Sequence, residues 1–115
     1  MNKREYIENI YNDAVEWMDE NINDYDSFHD AYVEMGNVIS GNYNGSYYCN
    51  AAKADDALSG VMWDDEVMNA VEIYYGEPLP LSEGPEICDV VVRMSLLYLI
   101  YDDIFDYWTE KKVAA

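Results

Sequence analysis

The sequence predicts an all-α fold, a single-domain compact bundle of about five helices over residues 1–115 with a long C-terminal helix at its centre. Three observations predict it. Apolar residues recur at three- and four-residue spacing along most of the chain, and Gly, Asn and Pro cluster between those stretches. Half of the side chains are hydrophobic, enough to build one core in 115 residues.

The first helix carries Tyr6, Ile7, Ile10, Tyr11, Ala14, Trp17 and Met18 on one arc, at about 100° per residue, and Glu5, Glu8, Asp13, Glu16, Asp19 and Glu20 on the opposite one. Residues 21–25 read as a loop. Asp26 or Ser27 caps a second helix, with Ser27 and Asp30 at capping-box spacing, and Phe28, Ala31, Tyr32, Met35 and Ile39 form its buried stripe. On its far side Asp26, Asp30 and Glu34 recur every four residues, where like charges repel by roughly 0.2–0.5 kcal/mol per pair. A helix selected for stability alone would carry Lys at one of them.

Residues 40–46, Ser-Gly-Asn-Tyr-Asn-Gly-Ser, are the strongest turn signal. Tyr47, Ala51, Ala54, Leu58 and Val61 then mark a third helix ending near Gly60, its small residues suited to close helix approach. Asp64 or Asp65 caps a fourth helix running through Tyr75, with Gly76 just past its end. Residues 77–85, with Pro78, Pro80 and Pro85, form a connector. From 86 to 112, Val90, Met94, Leu97, Tyr101, Ile104 with Phe105, and Trp108 hold helical period, predicting the central helix. The run Val90, Val91 and Val92 favours a strand on propensity alone and is the main competing expectation.

Charge is the strongest functional signal. The chain has 24 acidic residues against six Lys and Arg, a net −18, and four of the six bases (Lys3, Arg4, Lys111, Lys112) sit at its two ends. Solubility is satisfied by a net charge of roughly 2–8, and self-repulsion beyond that costs stability. Direct nucleic-acid binding is excluded by sign, since it relies on Lys and Arg neutralising phosphate, so the aromatic richness is not base stacking. Most aromatics read as core instead. Anionic lipid would be repelled too, and the most apolar run, near 90–101, is shorter than the roughly 20 residues of a membrane span. Cys49 and Cys88 form no CxxC pair and no secretory leader is legible, so a reducing cytoplasm is expected.

Catalysis finds little support. His29 is the sole histidine, which argues against triads and zinc sites, and no phosphate-binding loop occurs. Asn23 to Asp26, Asp55 with Asp56, and Asp64 to Glu66 offer oxygen ligands for calcium but lack the EF-hand spacing. The chain is therefore read as a non-enzyme without a cofactor.

Helical carboxylates three or four residues apart have Cβ atoms about 5–6 Å apart, close to the step between phosphates along a strand. A rigid acidic helix can therefore occupy a DNA-binding cleft in DNA's place. The residues expected to do so are Asp13, Glu16, Asp19, Glu20, Asp24, Asp26, Asp30 and Glu34, with Tyr43, Tyr47, Tyr48, Asp55, Asp56, Asp64 and Asp65 as a secondary partner-binding set. The partner would be a basic nucleic-acid-binding protein; a homodimer is compatible with the surplus aromatics. The alternative is an acidic adaptor that uses the Tyr-rich turn, with no DNA mimicry.

Glu20-Asn21-Ile22 followed by Asp26-Ser27-Phe28-His29-Asp30-Ala31 resembles the acidic N-terminal part of the Ocr-type phage antirestriction proteins, which are DNA mimics of similar length. Gly41-Asn42-Tyr43-Asn44-Gly45-Ser46-Tyr47 and Gly84-Pro85-Glu86-Ile87-Cys88-Asp89 are similar to small acidic phage proteins. The chain departs from the Ocr type at its end, where Lys111 and Lys112 stand in place of acids. The resemblance implies inhibition of a host defence nuclease or methyltransferase, of the restriction or CRISPR kind, in the host cytoplasm.

Overall fold

The computed structural model describes residues 3–39, 58, 60, 61 and 64–114, and every regular element among them is helical. Helix α1 spans Lys3–Asn21. Tyr6, Ile10, Ala14 and Met18, four residues apart, are buried along one line, and Ile7, Tyr11 and Trp17 flank them partly covered. The expected loop after it is tighter than the sequence suggested. Asn21 stays in the helix, its side-chain amide donating to the Trp17 carbonyl at 2.9 Å, and Ile22–Asp24 form a 3₁₀ turn that carries Ile22 into the core.

Helix α2 spans Phe28–Ile39 and is capped as expected, the Asp30 N–H donating to Ser27 Oγ at 3.2 Å. Phe28, Ala31, Met35 and Ile39 are buried, while Tyr32 is only partly covered. Of the expected third helix, Leu58, Gly60 and Val61 are described; Leu58 and Val61 are buried, and the rest lies outside the described residues.

Helix α3 spans Asp65–Tyr74. Asp64 caps it by accepting from the Glu66 and Val67 N–H groups at 2.9 and 3.3 Å. Gly76, at φ 78°, ends it in the left-handed conformation that glycine adopts without Cβ strain. After a 3₁₀ turn at Leu81–Glu83, Gly84 at φ 104° leads into α4, Pro85–Leu99, with Pro85 in the first turn. Valines 90 to 92 are helical. Val91 and Val92 fall on the spacing that buries Cys88, Ser95 and Leu96, and that burial outweighs their β propensity.

The single long helix expected over 86–112 is interrupted at Ile100 (φ −99°, ψ 15°), after which α5 spans Tyr101–Ala114. The hydrogen-bond ladder nearly survives the break, with Ile100 N–H donating to Leu96 O and Ile104 N–H to Ile100 O, both at 3.1 Å. The two halves meet different neighbours: α4 lies along α1, α2 and α3, and α5 lies against α1 and the 3₁₀ turn at Ile22–Asp24. Only α4 is central. Helix α5 buries Ile104 and Trp108 and leaves Tyr101 and Phe105, both expected in the core stripe, exposed.

One charged group sits at the centre. The Arg93 side chain is 2% exposed; Nε lies 3.2 Å from the Asp89 carboxylate, and Nη1 donates to the Ile39 carbonyl at 2.6 Å. The Tyr6 hydroxyl donates to the same carboxylate, so this network ties α1, α2 and α4 together. Burial raises the Asp89 carboxyl above its usual pKa, against the opposing pull of Tyr6 and Arg93. The molecule measures 44 × 26 × 22 Å, longer in one direction than a sphere of its size.

Candidate partner-binding surface

Burying Tyr6, Ile10, Ala14 and Met18 leaves the opposite arc of α1 to water, and there Glu16, Asp19 and Glu20 are exposed, with Asp13 half-buried at the arc's edge. The chain then turns through Asp24 and Asp26, both exposed, and α2 adds exposed Asp30 and Glu34. The primary set read from the sequence therefore lies along α1, the turn after it and the outer side of α2. In the secondary set Asp65 is exposed, whereas Asp64 is occupied by helix capping and by Lys3, whose Nζ lies 3.2 Å away. Desolvation would raise the Asp64 pKa, but the Val67 N–H, Lys3 and the Glu66 N–H hold it below the usual carboxylate range. Tyr43, Tyr47, Tyr48, Asp55 and Asp56 lie outside the described residues.

The described cations are engaged within the molecule. Lys3 pairs with Asp64 and Glu66, Arg4 with Glu8, Arg93 with Asp89, and Lys111 with Asp19 at 3.6 Å. Lys112 donates to the Tyr25 carbonyl at 2.8 Å and lies 4.9 Å above the Trp108 ring. Glu16, Glu20, Asp24, Asp26, Asp30 and Glu34 form no salt bridge among the described residues. The charge of Asp19 is offset by Lys111 and by the Tyr107 hydroxyl at 2.5 Å.

Sequence reasoning missed a second ridge. Asp102, Asp103, Asp106 and Glu110 on α5 are all exposed, and the last three face Glu8 across a groove of about 620 Å³ between α1 and α5. Their three- and four-residue spacing was readable, but reading residues 86–112 as a buried central helix concealed it. Among the described residues, no three His, Cys, Asp or Glu side chains are grouped to hold a metal ion.

A second, apolar groove of about 700 Å³ lies between α2 and the junction of α4 with α5. Tyr32, Tyr74, Tyr98 and Tyr101 line it, and Asp102 stands at its edge. Burial first, then the neighbouring Tyr74, Tyr101 and Tyr98, pushes the Tyr32 phenol well above its usual pKa, so it stays a protonated donor. Tyr32 and Tyr101 were expected in buried stripes; the helix is interrupted at Ile100, and Tyr98 is 48% and Tyr101 38% exposed. His29 is also exposed and lines this groove.

Chemistry of the remaining groups is limited. Cys88 is buried, its Sγ 3.5 Å from the Pro80 carbonyl, and burial together with the Glu83 charge raises its pKa, which disfavours the reactive thiolate. No helix among the described residues is long and apolar enough to cross a membrane. No protein-family model, curated protein or solved structure matches the chain at a significant level.

Proposed function

We propose that the chain is a phage-type DNA mimic that fills the nucleic-acid-binding cleft of a host defence protein, a restriction–modification enzyme or a CRISPR–Cas effector, by electrostatic competition. It acts in the host cytoplasm, without catalysis or cofactor. The observation that carries the reading is the segregation of charge: carboxylates occupy the outer faces of α1, α2 and α5, while the described cations are spent on internal partners.

Magnitudes support it. Duplex DNA as long as the molecule's 44 Å would carry about 26 phosphates at one charge per roughly 1.7 Å. The chain's net −18 is about two-thirds of that, a density that a cleft built for DNA would attract. Helices anchored by a continuous core also hold the charges in place before binding, which lowers the ordering cost that a flexible acidic tail would meet.

Expression of the chain in cells carrying a restriction–modification or CRISPR–Cas system should raise the plating efficiency of phage that the system normally excludes. A variant with Glu16→Gln, Glu20→Gln, Asp26→Asn, Asp30→Asn and Glu34→Gln should lose this effect, and Tyr47→Ala should keep it. Protection by the five-amide variant equal to wild type, with loss in Tyr47→Ala, would instead favour an adaptor working through the Tyr-rich turn.

A further inference from the structure

We infer that the groove between α2 and the α4–α5 junction receives an arginine side chain borne on an apolar segment of the partner protein. The inference relies on the proposed function only for the identity of that partner; the chemistry of the groove stands on its own geometry. Four tyrosines line the space, and three of them, Tyr74, Tyr98 and Tyr101, are more than one-third exposed. Tyr32 and Tyr101 meet edge to face with ring centres 4.9 Å apart, so the two rings form one aromatic wall of the groove. Among the described residues lining the groove, Asp102 is the acid and no Lys or Arg is present.

That lining selects its occupant by charge. An aromatic wall attracts a cation through the ring quadrupole, and a carboxylate at the edge adds a hydrogen-bonding anchor. Guanidinium uses both, since it stacks flat on aromatic faces and carries five N–H donors in a planar fork. A quaternary ammonium would fill the aromatic wall but could not donate to Asp102 or to the phenol oxygens. A second copy of this chain would bring another net −18 toward Asp102, and nucleic acid would bring phosphate, so both are disfavoured by sign. The volume of about 700 Å³ exceeds one side chain, leaving room for the apolar residues beside the arginine to cover the exposed Val33 and Leu99.

The test is a titration of the isotope-labelled full chain with a short leucine–arginine peptide, and with the same peptide carrying citrulline for arginine. It is run at about 0.15 M salt, where the Debye length is about 8 Å and general attraction to the acidic surface is damped. The arginine peptide should shift the amide resonances of Val33, Gly36, Leu99 and Asp102. Citrulline should weaken binding about tenfold or more, and so should Tyr98→Ala or Tyr74→Ala, each a change at an exposed side chain that removes no carboxylate. Equal binding of the citrulline peptide, unchanged affinity in both Tyr variants, or shifts confined to the α1 acidic arc would overturn the inference. If the five-amide variant loses protection while the peptide ignores the groove, the arginine receptor fails and the DNA mimic stands. If the peptide seats in the groove while the five-amide variant still protects, the reverse holds.

Discussion

Arg93 is the residue on which the interior turns. Nothing in one-dimensional spacing says that Asp89, one helical turn earlier, and Tyr6, on another helix, converge on it. An apolar run containing one Arg and one Asp four residues apart is nevertheless the signal such a pair leaves. Removing one partner of a fully buried pair strands the other's charge, so Arg93→Met should cost about 3–5 kcal/mol in chemical denaturation. Arg93→Met with Asp89→Leu should recover most of that loss, since neither charge is then left without its counterion. A double variant no more stable than Arg93→Met alone would show that the network's value lies in its bonds to Tyr6 and Ile39.

At the scale of elements, caps and turns were the most legible features, because Ser27, Asp64 and Gly76 act through their own neighbouring backbone. Helical period was legible for α1 and α2, whose single buried stripes face one core. It failed at α4 and α5. A stripe assumed to run straight from Val90 to Trp108 cannot register a bend at Ile100, and the bend decides which aromatics are covered and which open onto the groove. The α3 cap makes a pH-dependent prediction. Since the folded-state pKa of Asp64 is lowered, its contribution is present above the unfolded carboxylate range and is lost as pH falls through the folded value. The stability gap between wild type and Asp64→Asn should therefore narrow on acidification below about pH 4. A gap that widens there would contradict the assignment of Asp64 as a charged cap held by Lys3.

For the whole molecule, the acidic balance was plain in the composition, and Glu16, Asp19, Glu20, Asp30 and Glu34 fall on exposed faces because each lies opposite a buried stripe. The α5 ridge was obscured by the same straight-helix assumption that hid the groove. Lining up so many like charges opposes folding, and the core, the internal ion pairs and the Arg93 network offset that opposition. The claim that this surface stands in for DNA is tested most directly by anisotropy of a labelled short duplex on a DNA-binding partner captured by the chain, with unlabelled chain as competitor at rising salt. Wild type should displace the duplex completely, with affinity falling as salt rises. The five-amide variant should be weaker by about fivefold or more, at roughly 0.2–1 kcal/mol for each exposed charge. A partner that holds the chain and the duplex together, with an affinity indifferent to salt, would contradict it.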